Sequence, residues 1–138
     1  MKHTTYDLLV VGGGHAGVEA ANIGSYMGLS TLIVTMDPLA LGRMSCNPAI
    51  GGLAKGQMVR EVDVLGGIMG YFADMSTLQS KTLNKSKGRS VWSPRSQIDK
   101  NLYEKIAQKC ILWRKCVHEL AKSVGNAVPD DLANEIQH

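Results

Sequence analysis

The pattern of apolar and polar positions places a strand, a turn, a helix and a second strand at the start of the chain. After Asp7 come four apolar residues, 8–11, a short run typical of a buried strand. Alanines and apolar residues predict a helix over 16–27, which Gly28 is placed to end. A second apolar run predicts a strand over 30–35. This order is one βαβ unit and indicates an α/β protein with a Rossmann-like core.

A glycine cluster joins the first predicted strand to the first predicted helix. Gly12, Gly14 and Gly17 have the G-x-G-x-x-G spacing of a dinucleotide-binding turn. In such a turn the first glycine permits a sharp bend, the second lets the backbone approach a pyrophosphate, and the third lets the helix pack against the strand. Amide groups and the helix dipole then attract the phosphates. The alternative is a glycine-rich turn without a ligand; the position between strand and helix favours nucleotide binding.

The end of the second strand argues against a generic NAD site. Dinucleotide-binding folds carry an Asp or Glu there, about 20 residues after the glycines, to bind the ribose hydroxyls. This chain has Thr35 at that place, and its first acid is Asp37, before Pro38. Asp37 either serves by its side chain or opens a turn, and the sequence does not choose between these roles.

The next part of the chain predicts a long loop and a helix. Residues 41–52 are rich in Gly, Pro, Asn and Ser, and loops of this length are commonly functional. A helical pattern follows from Leu53, with Met58, Val62 and Leu65 on one face. The glycine pair at 66–67 is expected to stop this helix.

Further along, the pattern is less regular. Residues 68–82 do not favour one type of element, and 85–95 predict a basic loop or short extended piece because Pro94 excludes a helix interior. Ser96 is predicted to cap a helix that begins near Gln97 and continues to about Leu120. A last short helix is expected from Pro129 to the end of the chain.

Length and composition limit the class of protein. With 138 residues, 44% hydrophobic and 20% charged, the chain matches one globular domain. No apolar run approaches the roughly 20 residues of a spanning helix, and the first residues lack the apolar region of a signal peptide. The three cysteines have no C-x-x-C spacing, which argues for a reducing compartment and against a disulfide framework or a structural zinc site. We therefore expect a cytoplasmic protein that lies outside the membrane and has no metal site.

Positive charge is concentrated in one segment of the chain. Residues 81–115 contain ten Lys and Arg, opposed there by Asp99 and Glu104. Such a segment suits a polyanion such as nucleic acid, although charge alone favours a solvated helix and loop face. Trp92, between Arg89 and Arg95, either stacks on a base or packs in the interior. The residue types leave this choice open.

Cysteine and histidine supply the candidate reactive groups. Cys46 lies on the polar 41–52 loop with Arg43 nearby, and a cation or a helix N-terminus activates a thiol as a nucleophile. The alternative is an inert small residue. Cys110 and Cys116 fall on a predicted amphipathic helix and fit packing roles better. His15 lies inside the glycine turn, where it either contacts a cofactor or is a tolerated exposed residue.

Several strings of residues carry a family resemblance. They are residues 12–21, the string Cys46-Asn47-Pro48-Ala49-Ile50-Gly51-Gly52 with the two residues before it, 55–56, 59–67, 83–88 and 93–99. Over about residues 5–110 the chain resembles the MnmG (GidA) family of FAD-dependent tRNA uridine 5-carboxymethylaminomethyl modification enzymes.

The resemblance implies a cofactor site and a candidate catalytic residue. It implies that FAD binds at Gly12, Gly13, Gly14, His15, Ala16 and Gly17. It also implies that family members usually carry Thr at the end of the second strand, as Thr35 does here. Finally, it implies that Cys46 takes part in the chemistry.

The resemblance also implies a reaction and partners. In the family, a methylene unit from a folate and an amine are installed at C5 of the wobble uridine (U34) of tRNA. An MnmE-type GTPase assists, and NADH reduces the flavin. The sites for NADH and the methylene-folate, and the domain that contacts the GTPase, have no counterpart in this chain. A homodimer is a further expectation.

The chain departs from the family in three respects. Family members are several times longer, the family pattern stops near Ile111, and Arg89 stands where members usually carry Pro. Residues 124–136 resemble instead the last motif of DNA cytosine-5 methyltransferases. We therefore predict a truncated, partial FAD-binding domain over 1–110 and a helical tail of uncertain origin over 111–138.

Two functions follow from these expectations. The first is the FAD-binding region of the tRNA-modifying flavoenzyme, inactive alone because most of the active site is missing. Whether this chain is itself an enzyme stays open. The alternative is a non-catalytic remnant or nucleic-acid-interaction module that retains the βαβ fold.

Overall fold

The structure, a computed structural model, describes residues 5–52, 54–113 and 117–119. They form two compact units. The first comprises the described residues of 1–42 and 107–138, and the second those of 43–106. The helices and strands are, in chain order, β1 (Leu8–Val11), α1 (His15–Tyr26), β2 (Thr31–Val34), β3 (Ala49–Gly51), α2 (Lys55–Val64), α3 (Met69–Ser76), β4 (Thr77–Leu83), β5 (Ser93–Ile98), α4 (Lys100–Trp113) and β6 (Val117–Glu119).

A parallel sheet forms the centre of the first unit. Among the described residues its strand order is β1-β2-β6. β1 and β2 pair in register, with Leu8 opposite Thr31 and Val11 opposite Val34. Two adjacent parallel strands need a crossover connection, and α1 supplies it. The predicted βαβ unit and the α/β fold class are thus confirmed.

The end of α1 follows the sequence prediction. The N–H of Gly28 donates to the carbonyl of Ser25 and the N–H of Leu29 to that of Gly24, both at 3.0 Å. These two bonds form a Schellman motif, which satisfies carbonyls that the helix end would otherwise leave unpaired. The predicted stop at Gly28 is therefore correct.

The helix lies directly against the two strands that it connects. A Cβ on Gly24 would stand 2.6 Å from Cδ2 of Leu8 and 2.9 Å from Oγ1 of Thr31. A larger residue at this position would push α1 away from the sheet. The buried apolar residues of the first unit are Val10, Val18, Ala21, Leu32, Ile33, Leu41, Ala107 and Ile111.

The second unit contains an antiparallel sheet with the order β3-β5-β4, so that β5 is central. Its core includes an edge-to-face pair of Phe72 and Tyr103, with ring centroids 5.7 Å apart and both side chains about 1% exposed. This geometry is one that aromatic rings prefer. The other buried apolar residues of this unit are Met44, Ile68, Ala73 and Ile98.

The prediction that Ser96 caps a helix beginning near Gln97 is wrong. Both residues lie in β5, where each pairs with residues of β3 and β4. The cap is Asp99, whose Oδ1 accepts from the N–H groups of Asn101 at 3.0 Å and Leu102 at 3.1 Å. Asp caps a helix as well as Ser does, and sheet pairing, which local sequence does not reveal, decides between them.

The predicted continuation of this helix to Leu120 is also wrong. α4 ends at Trp113, and 117–119 form β6, whose backbone pairs with β2. Apart from 111–113 and 117–119, the predicted helical tail and the helix expected from Pro129 lie outside the described residues.

Two other expectations on the second unit need correction. The predicted 41–52 loop is irregular at first but ends in β3. The apolar face that the sequence places on α2 is mostly exposed, since Met58 is 63% and Leu65 78% exposed. α2 instead approaches the sheet through Gly56, where a Cβ would lie 2.5 Å from Oγ of Ser93. A small residue, and not the apolar stripe, makes the close contact.

The segment that the sequence left ambiguous, 68–82, divides into α3 and β4. Within the described parts of the chain, no helix is long and apolar enough to cross a membrane.

Candidate functional site

The glycine turn of the first unit has the geometry that its spacing predicts. Gly12 follows β1 with a φ of +108°, which side chains rarely adopt, and its N–H donates to the carbonyl of Val34 at 2.8 Å. A Cβ on Gly17 would overlap the carbonyl oxygen of Gly12 and lie 3.4 Å from Cγ1 of Val10. The turn therefore needs glycine at its first position for the bend and at its last for the close helix–strand contact.

The middle glycine faces open space. Gly14 is the N-cap of α1 and makes no side-chain cap. A Cβ built on it meets no described atom within 4 Å, although its φ of −72° would suit any residue. The first intrahelical bond runs from the N–H of Val18 to the Gly14 carbonyl at 2.9 Å. The N–H groups that precede Val18 in the first helical turn also point toward the helix N-terminus, but they have no carbonyl within the helix to accept them, and they are therefore suited to an anion.

His15 and Ala16 open the helix beside this space. Ala16 is exposed, whereas His15 is half-buried. Burial lowers the pKa of His15 below its usual value of 6.5, and the Glu19 carboxylate opposes this shift to a smaller extent. The imidazole is therefore predominantly neutral at neutral pH, so the polarity at this helix start comes mainly from backbone groups.

Thr35 lies next to the glycine turn. It follows β2, and its Oγ1 would be 3.0 Å from a Cβ on Gly13, while Cδ2 of Leu41 would be 2.7 Å away. The N–H of Gly42 donates to the Gly13 carbonyl at 2.8 Å. The structure thus brings Thr35 and the predicted glycines together. Leu41 and Gly42, which also contact Gly13, were not singled out by the sequence.

The two roles left open for Asp37 are now distinguished. Its Oδ1 accepts from the N–H of Leu39 at 2.9 Å and caps the short 3-10 helix Pro38–Ala40. Such a bond is the usual way in which Asp opens a turn. The structure therefore favours the turn role over direct binding of a ribose.

Cys46 belongs to the second unit and is exposed, with a free thiol. Its carbonyl accepts from Nζ of Lys100 at 2.8 Å. Its Sγ lies 3.8 Å from Oγ of Ser45. The Pro48 carbonyl, two residues on, accepts from the N–H of Ile98 at 2.8 Å. The loop is thus held by its backbone while the thiol faces outward.

Arg43, the cation predicted to activate Cys46, has a carboxylate partner. Its Nε lies 2.6 Å from Oε1 of Glu104. Because Glu104 offsets the guanidinium charge, the ion pair contributes to holding the loop more than to the local field. Lys100 and Glu104 lie one helical turn apart on α4 and so share a face. The four-residue spacing of Lys100 and Glu104 is visible in the sequence, but their contacts with Cys46 and Arg43 in the loop are not.

The remaining singled-out residues lie in the second unit or at the end of the first. Trp92 is 37% exposed, and its Nε1 donates to the carbonyl of Lys87 at 3.1 Å. Cys110 is half-buried on α4, and Cys116 lies outside the described residues. In the described residues no group of three or more His, Cys, Asp or Glu is placed to hold a metal ion.

Comparison with known proteins places this geometry in a family. The family model "Glucose inhibited division protein A" (GIDA) matches residues 7–135. The match continues beyond Ile111, where the family pattern was predicted to stop. It includes nearly all of the segment 124–136, which was likened to cytosine-5 methyltransferases.

Individual relatives agree with the family model. The chain is 45% identical, over 88% of its length and 21% of the relative's, to a tRNA uridine 5-carboxymethylaminomethyl modification enzyme MnmG of Phocaeicola vulgatus. It is 53% identical to the enzyme of the same name from Endomicrobium trichonymphae, over 77% of this chain and 18% of the relative. A solved structure of GidA from Aquifex aeolicus aligns with a TM-score of 0.82 at 45% identity, over 84% of this chain and 19% of that one. The chain thus spans about a fifth of the length of these relatives.

Proposed function

We propose that this chain, which belongs to the GidA family, is the FAD-binding N-terminal region of a flavoenzyme that modifies C5 of the wobble uridine (U34) of tRNA. The observation that carries the proposal is the glycine turn of the first unit. Gly12 bends the chain with a φ of +108°, Gly17 packs directly against the Gly12 carbonyl, and the middle glycine, Gly14, faces open space at the start of α1.

The residues of the turn fit the pyrophosphate of FAD. The N–H groups of the first turn of α1 provide donors, and the helix dipole favours negative charge. The missing Cβ of Gly14 leaves room for the phosphates. Gly12, Gly13 and Gly17 shape the turn, His15 and Ala16 begin the helix, and Thr35 lies beside Gly13. When bound, FAD supplies the redox chemistry.

Cys46 is the residue that we propose for a chemical role in the second unit. A thiol is the most nucleophilic side chain near neutral pH once it is ionised, and this one is exposed on a loop whose backbone is anchored to β5 and α4. An anchored backbone with an exposed side chain is the arrangement that a positioned nucleophile needs.

Substrate and partners follow from the relatives and from the family resemblance. The relatives' names specify tRNA uridine as the group that they modify. We propose the same substrate, with a methylene-folate, NADH and an MnmE-type GTPase as participants in the complete enzyme, which we expect to be cytoplasmic and dimeric. Because the chain spans about a fifth of its relatives, we expect it to bind flavin but to lack turnover alone.

Two measurements on the purified chain test this proposal. A flavin absorbance spectrum after incubation with FAD and gel filtration should show bound cofactor. Assay of tRNA modification with folate, GTP and the GTPase should show no product. Robust turnover would contradict the proposed deficiency, and a folded protein that retains no flavin would contradict the binding role.

A second candidate is a non-catalytic module that retains the βαβ fold, because the chain spans about a fifth of the length of its relatives. It predicts a colourless protein with a cooperative melting transition. The flavin spectrum therefore separates the two functions, since both require the chain to fold.

A further inference from the structure

The hairpin formed by β4 and β5, with the loop between them, carries five cations and no acid. They are Lys81, Lys85, Lys87, Arg89 and Arg95, and the nearest acids in the sequence are Asp74 and Asp99 on either side. All five side chains are exposed. A single sign of charge over one surface element raises the local concentration of a polyanion.

Two of these cations face each other across the hairpin. Lys81 and Arg95 are direct partners in the antiparallel pairing of β4 and β5. Like charges at directly opposite positions destabilise a sheet. A bound anion would remove this repulsion, so the pairing is better explained by a ligand than by stability of the free hairpin.

The loop at the end of the hairpin is held by side-chain and backbone hydrogen bonds. Nδ2 of Asn84 donates to the carbonyl of Val91 at 3.3 Å, and the N–H of Lys87 donates to the carbonyl of Asn84 at 2.9 Å. Nε1 of Trp92 donates to the carbonyl of Lys87 at 3.1 Å. The indole is therefore oriented before any ligand arrives, which reduces the entropy cost of binding.

The indole ring is partly covered by a cation. Trp92 is 37% exposed, and the guanidinium carbon of Arg89 lies 5.7 Å from its ring centroid. This is a cation–π contact at a solvent-exposed place, where such contacts are weak. Such a contact is weak enough for a stacking ligand to displace it. Arg89 would then be released toward a phosphate.

We propose that the β4–β5 hairpin is a contact surface for single-stranded RNA, with its cations on phosphates and an unpaired base stacked on Trp92. An oriented aromatic ring among backbone-neutralising cations is the arrangement by which proteins bind single strands. The choice of RNA over DNA rests on the proposed function; the surface itself rests on the charge, pairing and exposure of the hairpin.

The test uses Trp92 as its own reporter. The chain has two tryptophans, so Trp113→Phe leaves Trp92 as the single source of indole fluorescence. Titration with a short single-stranded RNA should quench this emission. If all five cations meet phosphates, the affinity should fall with salt at a log–log slope of about −3.5, from roughly −0.7 per contact.

A charge-matched pair of variants locates the surface. Lys85→Gln with Lys87→Gln should weaken RNA binding about tenfold or more and reduce the salt slope by about 1.4. Arg60→Gln with Lys105→Gln removes the same charge from exposed positions of α2 and α4 and should leave the salt slope nearly unchanged. Circular dichroism melting of each variant should confirm that it folds.

Several outcomes would overturn the inference. They are quenching by FAD or ADP but not by RNA, binding that does not depend on salt, and equal weakening by the two charge-matched variants. The result is separable from the proposed function. A chain that binds flavin but no RNA refutes the hairpin surface alone, and a chain that binds RNA but no flavin refutes the cofactor role alone.

Discussion

The two units hold their candidate residues in different ways. In the first unit the glycine turn is a backbone structure, completed within residues 12–17 and supported by Thr35. In the second unit the Cys46 loop is held by side chains far away in the chain. Lys100 is 54 positions from Cys46, and Glu104 is 61 positions from Arg43.

This difference determines which substitutions each unit tolerates. A backbone turn fails when a Cβ enters space that another backbone atom occupies. A loop tied by one ion pair near the surface and a few hydrogen bonds loses order gradually, because each contact contributes little. We therefore expect steep effects at the glycines and in the buried cores, and shallow effects at the loop anchors.

The largest loss of stability is expected at the aromatic core of the second unit. Phe72→Ala removes a buried ring and its edge-to-face contact with Tyr103. It should lower the free energy of unfolding by about 3–5 kcal/mol, measured by urea denaturation. Phe72→Leu, the control, retains an apolar side chain and should cost clearly less. Equal costs would show that the ring packing does not matter.

A pair of glycine variants should separate packing from open space in the first unit. Gly17→Ala places a Cβ on the Gly12 carbonyl and should cost about 1–3 kcal/mol. Gly14→Ala places a Cβ where no described atom lies within 4 Å and should change stability by less than about 1 kcal/mol, because the poorer N-cap preference of Ala is offset by the lower entropy of its unfolded chain. Thermal melts of both variants measure the contrast. Similar melting temperatures of the two variants would contradict the claim that close packing at Gly17 makes the turn of the first unit intolerant of substitution.

Smaller effects are expected at the anchors of the Cys46 loop. Lys100→Met, which removes a hydrogen bond to the Cys46 carbonyl, and Glu104→Gln, which weakens an ion pair near the surface, should each change global stability by less than about 1 kcal/mol. Hydrogen exchange should nevertheless become faster at the amides of Ala49 and Ile98, whose acceptors lie in this loop. Lys105→Gln on the same helix is the control. Unchanged exchange in the anchor variants would mean that backbone contacts alone hold the loop.

The smallest effect concerns pH. Burial depresses the pKa of His15 in the folded state, so the unfolded chain binds the proton more readily. The contribution of neutral, buried His15 to stability is therefore fully present above the pKa of the unfolded chain, about 6.5. This contribution is lost as the pH falls from that value through the pKa of His15 in the folded protein. His15→Gln should flatten the dependence of melting temperature on pH between neutral and mildly acidic solution.

Glu19→Gln is the control for this titration, because it keeps His15 and removes the charge that raises its pKa. The Glu19 carboxylate raises the pKa of His15, so its removal should lower the folded pKa further and extend the loss of stability to lower pH. A profile that neither substitution changes would assign the pH dependence to other groups.

The contrast between the units also explains what could be predicted from the sequence. The βαβ unit, the stop at Gly28 and the roles of Gly12 and Gly17 are local properties of the backbone, so spacing revealed them. The errors at Ser96 and beyond Trp113 arose where sheet pairing overrides helical propensity. The exposed face of α2 was mispredicted because Gly56, a residue without a side chain, makes the contact. Lys100 and Glu104 were missed because their partners come from a distant loop.

The most direct test of the account is the affinity of FAD for the wild-type chain and for Gly14→Ala, measured by isothermal titration calorimetry at one temperature and salt concentration. If the space before Gly14 receives the pyrophosphate, the wild-type chain binds FAD and the variant binds at least about tenfold more weakly, a difference of about 1.4 kcal/mol, while both melt at nearly the same temperature. Equal affinities of two folded proteins would contradict the assignment of the glycine turn as the flavin site.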